Sequence, residues 1–181
     1  MSEQVILVDK DDAAIGTCEK IKAHQEALLH RAFSIFIFRQ NNNILELLIQ
    51  KRATAKYHCP NLWTNTCCSH PKPNETILEA AKRRLQEEFG FTTALKEINK
   101  FHYTAACANG LTENEIDHVL IGFADHITAK PNPAEISTYK WVPIYWLKQD
   151  LATNIGNYTP WFARALTMAL CSLTIQTQDE I

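Results

Sequence analysis

Two carboxylates stand one residue apart in the string Glu113-Asn114-Glu115. In an extended segment residues i and i+2 share a face, so both can close on one cation. Glu87 and Glu88 each follow an arginine by four residues, Arg83 and Arg84. On a helix these are i,i+4 ion pairs, whereas Glu75 and Glu79 make a like-charge pair at the same spacing. Six cysteines, Cys18, Cys59, Cys67, Cys68, Cys107 and Cys171, contain no CxxC pair. Each thiol is either filler or chemistry, and composition alone does not say which. Taken singly, the histidines are ordinary polar residues and the two glutamates a solvated edge.

The elements that must position these groups follow from patterning. At 181 residues the chain fits one domain, 1–181, able to bury a core without disulfides or a structural metal. Its 46% apolar and 21% charged residues are those of a globular protein. Eighteen basic against twenty acidic side chains give a net charge of −2, which removes the electrostatic basis for nucleic acid or an anionic membrane as partner. The start of the chain has no basic and apolar leader, no stretch reaches membrane-spanning length, and reduced thiols in the cytoplasm are expected. Five glycines leave no phosphate-cradling or dinucleotide loop, so neither flavin nor NAD is expected. Val5–Val8 reads as a strand, and Ala32–Phe38 and Ile44–Gln50 as a hairpin about Asn41-Asn42-Asn43. Glu75–Phe89 has apolar Leu78, Ala81 and Leu85 at helical spacing, a Thr76/Glu79 capping box and a stop at Gly90. Strands are expected near Lys100–Cys107, Glu115–Ala124 and Thr138–Val142, and a helix from Trp161 to Leu173. This order predicts α/β or α+β layering.

The segment Ser69–Phe91 resembles the Nudix box, in which Gly is followed after five residues by Glu and after seven more by Arg-Glu-apolar-x-Glu-Glu-x-Gly-apolar. The matches are Glu75, Arg83, Leu85, Glu87, Glu88, Gly90 and Phe91. Such a helix aims carboxylates at a divalent metal that neutralises a diphosphate. Two positions depart from it: Ser69 replaces the leading Gly, and Arg84 replaces a carboxylate. A cation at that place suits holding a diphosphate better than splitting it. The resemblance implies a Nudix-like α/β/α sandwich, with a mixed sheet between the box helix and a C-terminal helix.

Trp63-Thr64-Asn65-Thr66-Cys67-Cys68-Ser69-His70-Pro71, with Leu29-His30-Arg31-Ala32-Phe33, Lys51-Arg52-Ala53, Glu113-Asn114-Glu115 and Thr159-Pro160-Trp161, resembles the type I isopentenyl-diphosphate Δ-isomerases, a specialised Nudix-fold family. That resemblance implies interconversion of isopentenyl and dimethylallyl diphosphate, a small-molecule substrate handled by a monomer or weak homo-oligomer. It also implies metal ligation by His24, His30, His70, Glu113 and Glu115, a mixed N/O set suited to Mn²⁺ or Zn²⁺. Glu88 would hold a separate Mg²⁺ on the diphosphate. Cys68 and Glu115 would pass protons, with Cys68 preferred over Cys67 because the family's thiol precedes the metal histidine by two positions. Tyr103 and Trp161 would stabilise a cation by their ring faces, while Lys20, Arg52, Lys56 and Arg84 would contact diphosphate oxygens. Cys18, Cys59, Cys67, Cys107 and Cys171 are assigned to packing. His58, His102, His118 and His126 match nothing and receive no role. The alternative reading is a Nudix pyrophosphohydrolase, kept open by Glu87 beside Glu88; a third is a catalytically silent diphosphate- or metal-binding module.

Overall fold

Ala32–Phe38 is apolar on both faces save for Ser34, and a strand of that kind must be covered by a layer on each side. It forms the middle of β3, His30–Asn41, at the centre of a mixed sheet. The computed structural model describes residues 2–176, so Met1 and 177–181 of the expected domain lie outside the described residues. The sheet also contains β1 (Gln4–Val8), β2 (Ala14–Glu19), β4 (Ile44–Arg52), β5 (Trp63–Thr64), β6 (Cys67–Ser69), β7 (Leu95–Ala106), β8 (Thr112–Phe123) and β9 (Ile136–Pro143). Along one edge of β3 runs β8, parallel to it over nine register pairs, with β7 antiparallel beyond. Along the other edge β3 meets β1 at His30, β6 at Phe33–Ile35 and β4 at Phe38–Asn41.

Alternation on the strands divides the core between two helices. Phe33, Ile35, Ile37, Leu48 and Leu120 pack against Ala80, Ala81, Leu85 and Phe89 of α2, Ile77–Phe89. Phe36, Phe38, Leu47, Ile49, Val119 and Ile121 face the other way, onto Phe162, Ala165, Leu166 and Ala169 of α4, Phe162–Gln176. This is the expected α/β/α sandwich. The hairpin turns on Asn42 and Asn43, both at positive φ (49° and 62°), which asparagine tolerates better than most residues.

The helix α2 starts at Ile77 rather than Glu75, because Thr76 is its N-cap and shares the expected capping box with Glu79. Glu75 stays in the preceding turn, where it accepts from Arg83 Nε at 2.6 Å. The expected Glu75–Glu79 like-charge pair on the helix therefore does not form. Gly90 ends α2 at φ 74°, and a Cβ there would meet the Lys130 side chain at 2.9 Å. Unanticipated elements are β2, the short strands β5 and β6, α1 (Lys20–Gln25) and α3 (Ile144–Asn154). Strands β7 and β8 both begin earlier than their sequence ranges. Among the described residues no helix is long and apolar enough to cross a membrane.

Candidate active site

Register places the polar groups before any tertiary loop is considered. On the α4 side of the sheet, His30 of β3 pairs with Glu115 of β8, and Glu115 pairs with Tyr103 of β7. On the opposite edge of β3, Ser34 pairs with Cys68 of β6. Glu113, Glu115 and Asp117 are all buried, at successive same-face positions. The helix α1, capped by the Glu19 carboxylate at the amides of Ile21 and Lys22, presents Lys20 and His24 to the same region.

Three imidazoles and two carboxylates converge. Nδ1 of His24 donates to the Lys20 carbonyl (2.7 Å) and Nδ1 of His30 to the Leu28 carbonyl (2.8 Å). A carbonyl only accepts, so in the neutral ring the proton sits on Nδ1 and the lone pair on Nε2. Those Nε2 atoms, and Oε2 of Glu113, are buried without a hydrogen-bond partner. Glu115 Oε1 lies 3.3 Å from His30 Nε2, 2.8 Å from His70 Nε2 and 4.0 Å from His24 Nε2. Ligand atoms of His24, His30, His70 and Glu115 all fall within 4.8 Å of one another. Bonds of roughly 2.0–2.2 Å from nitrogen and oxygen to a divalent cation would span such a cluster. Burial pushes the His70 imidazole down to about 3, despite the Glu115 carboxylate, so its ring is neutral, with Nε2 donating to Glu115 Oε1 at 2.8 Å. Burial opposes charge on Glu115 as well, yet the His30 and His70 contacts hold its carboxyl well below the usual range. The orphaned lone pairs and the buried carboxylates fit a divalent metal.

Glu113 stands slightly apart. Its Oε2 is 3.3 Å from His24 Nε2, and its Oε1 is 3.0 Å from Nε2 of His58. His58, given no role by the sequence, thus belongs to this centre: the turn between β4 and β5 folds it over β8. His118 instead lies against Asp12 (3.0 Å) and Glu97 (2.7 Å), and His102 contacts Asn114 at the surface.

Beside the cluster opens a cavity lined mostly by polar and charged side chains. Lys20, Arg52, Lys56, Arg84, Cys68, Tyr103, Glu115 and Trp161 all line it, together with His70 and Glu113. His24, His30 and Glu88 stand behind its wall. Alternation along β6 turns Cys68 to the cavity and Cys67 into the core under α2. Cys68 Sγ accepts from Arg52 Nη1 at 3.4 Å, and burial pushes its thiol up to about 12, against the pull of Arg52. The thiol therefore keeps its proton at neutral pH. Tyr103 donates from its hydroxyl to Glu115 Oε2 at 2.5 Å. Trp161 is fixed by Nε1 donating to Asn65 Oδ1 at 3.1 Å, with its ring centroid 6.2 Å from that of Tyr103.

The basic residues are held by carboxylates. Lys20 pairs with Glu3 (3.1 Å) and Lys56 with Glu135. Arg84 reaches Glu87 (2.8 Å), Glu88 (2.6 Å) and Glu135 (3.1 Å), so both its terminal nitrogens are engaged. Glu88 also accepts from Gln50 Nε2 at 2.9 Å. The structure keeps Glu88 apart from the histidine cluster and ties it to Arg84. Ser34 and Asp117, which sequence reasoning missed, also line the cavity, joined by a 2.8 Å hydrogen bond from Ser34 Oγ. Burial and the neighbouring Glu115 charge raise the Asp117 carboxyl well above its ordinary value. Continuing the Glu113/Glu115 alternation by one step would have found it.

A mixed sheet between two helices, with a carboxylate-bearing helix beside a polar cavity, is the architecture of the Nudix class. The NUDIX domain model matches residues 28–162. A protein of Deinococcus radiodurans superposes with a TM-score of 0.67 at 20% identity, covering 84% of this chain and 90% of the other. A MutT protein of Methanosarcina mazei does so at 0.60 and 17%, covering 76% and 89%. Sequence similarity is narrower. A relative from Serratia proteamaculans named isopentenyl-diphosphate Delta-isomerase is 46% identical over 90% of this chain and 88% of its own length. Relatives of that name from Photobacterium profundum (41%, 97% and 99%) and, numbered 1, from Aromatoleum aromaticum (48%, 89% and 89%) are similar along the chain. The chain belongs to the isopentenyl-diphosphate Delta-isomerase family.

Proposed function

We propose that the chain interconverts isopentenyl diphosphate and dimethylallyl diphosphate, moving a double bond by adding a proton at one carbon and removing one at another. The reading is carried by one observation: Cys68 and Glu115 face one cavity from strands on opposite edges of β3. An alkene is barely basic, so its proton must come from a positioned acid in a site that keeps water from the tertiary cation. The Cys68 thiol, protonated and held against Arg52, is suited to one proton transfer, and Glu115 with the Tyr103 hydroxyl to the other. The buried Trp161 ring, with Tyr103 next to it, offers a π face to positive charge. Lys20, Arg52, Lys56 and Arg84 supply the positive lining for a diphosphate, with Arg84 held in place by carboxylates of its own helix and Glu135.

His24, His30, His70, Glu113 and Glu115 would hold a divalent cation, Mn²⁺ or Zn²⁺ by the chemistry of the donor set. Its contribution would be to fix these side chains and polarise groups bound to it. A Mg²⁺ accompanying the diphosphate would be met by Glu88. One domain over 1–181, acting in the cytoplasm as a monomer or weak homo-oligomer, completes the reading; the six free thiols support a reducing compartment. The pyrophosphohydrolase alternative is less supported, because Arg84 takes a carboxylate position of the box.

The test is incubation with isopentenyl diphosphate and Mg²⁺ in D₂O. Deuterated dimethylallyl diphosphate is expected. Release of phosphate or pyrophosphate without isomerisation would establish the hydrolase instead.

A further inference from the structure

Two thiols that the sequence assigns to packing meet at the edge of the site. Cys59 lies in the turn after β4 and Cys107 just beyond β7, and their Sγ atoms are 3.3 Å apart. Cys59 is 6% exposed, whereas Cys107 is partly open to solvent. We propose that Cys59 and Cys107 form an oxidative modification site, converted by a peroxide into a disulfide next to Arg52 and Glu113.

The geometry asks little of the chain. A sulfur–sulfur bond of about 2.0 Å requires the two atoms to close by about 1 Å between them, within reach of side-chain rotation. The pairing crosses the fold, joining the turn that carries His58 to the turn that follows Tyr103. Cys67 and Cys68, although adjacent in sequence, point to opposite faces of β6 and cannot compete.

The chemistry balances with hydrogen peroxide as oxidant. One of the two sulfurs attacks one peroxide oxygen; the S–O bond forms, the O–O bond breaks, and the departing oxygen takes up a proton as water. The other sulfur then attacks the resulting sulfenic sulfur, the S–S bond forms, the S–O bond breaks, and the oxygen leaves with a proton as a second water. Two thiols lose two electrons, and the peroxide gains them. A thiol reductant reverses the change.

Both cysteines are coupled to site residues, Cys59 through its backbone and Cys107 through its sulfur. The Cys59 carbonyl accepts from Arg52 Nε at 3.1 Å, and Arg52 donates through Nη1 to Cys68. The Cys107 Sγ lies 3.9 Å from Glu113 Oε1. The covalent link fixes the turn whose Cys59 carbonyl orients Arg52 and moves the Cys107 sulfur beside Glu113, so turnover falls.

The experiment treats the metal-loaded full chain with peroxide, alkylates the remaining thiols and maps the peptides. The expected result is a link between the peptides bearing Cys59 and Cys107, removed by dithiothreitol. Isomerase activity should fall several-fold and recover with the reductant, and Cys107→Ser should lose both the link and the reversible loss. Full alkylation of Cys59 and Cys107 after peroxide, or a link between other cysteines, would overturn the proposal. A link that left turnover unchanged would overturn its coupling to the site. The peptide map stands apart from the isomerisation reading, on which only the activity measurement rests. Should Cys107→Ser not fold, Cys59→Ser and the wild-type map decide the question.

Discussion

His30 and Glu115 are register partners on neighbouring parallel strands, and the imidazole Nε2 lies 3.3 Å from the carboxylate Oε1. The pairing is a property of the sheet, since backbone hydrogen bonds between β3 and β8 hold the two side chains on one face whether or not a cation lies between them. The ring is oriented from behind by the Leu28 carbonyl. Such carbonyl support fixes both the tautomer and the direction of a metal-binding lone pair.

It follows that His30→Ala should weaken retention of the bound divalent metal by about 10–100-fold or more, the range seen even for groups that only support a ligand. Elemental analysis after dialysis against a chelator gives the measurement, with circular dichroism confirming the fold. Full metal occupancy in the variant would remove His30 from the ligand set. His70→Ala should behave in the same way.

Cys68→Ala and Cys67→Ala should separate cleanly, because one sulfur lines the cavity and the other is sealed in the core. Loss of a positioned acid should lower kcat by about 10²–10⁴-fold. Removing the Cys67 sulfur should instead cost about 1 kcal/mol of stability, seen in urea unfolding, with turnover largely kept. The reverse pattern would show that the alternation along β6 has been misassigned.

Tyr103→Phe removes one hydroxyl and little volume. Its 2.5 Å hydrogen bond to Glu115 is made to an ionised carboxylate, the kind worth about 1.5–3 kcal/mol. A fall in kcat of about 10–100-fold is expected, with KM little changed because the hydroxyl is bonded to Glu115. A change confined to KM would instead place Tyr103 among the groups that bind the substrate.

What was legible in the sequence was local. The Asn42–Asn43 turn, the Thr76/Glu79 box and the Gly90 stop each act within a few residues, and the structure has all three. The helices α1 and α3 were not legible: the first has six residues, and the second buries only Leu147 while exposing Tyr145 and Trp146. The same division holds within the site. Glu113 and Glu115 announce themselves by alternation, and Asp117 continues it. His58 sits in an irregular turn with no periodicity, and reaches Glu113 only because that turn crosses β8. Cys59 and Cys107 are 48 residues apart, and no local rule pairs them.

Glu135 provides a prediction in pH. It bridges Lys56 and Arg84 on the positive side of the cavity. Burial favours its neutral form, but those two cations hold its carboxyl at about 2, against 4.5 for an ordinary glutamate. A folded-state value below the unfolded one means that the ionised carboxylate stabilises the fold. That contribution is fully present above about 4.5 and is lost as pH falls towards about 2. Glu135→Gln should therefore be less stable than the wild type at neutral pH, by on the order of 1–2 kcal/mol after solvent screening. Urea titrations at descending pH should show the two proteins converging over that acidic window. A difference that persisted unchanged to the acid end would mean that Glu135 acts through packing rather than charge.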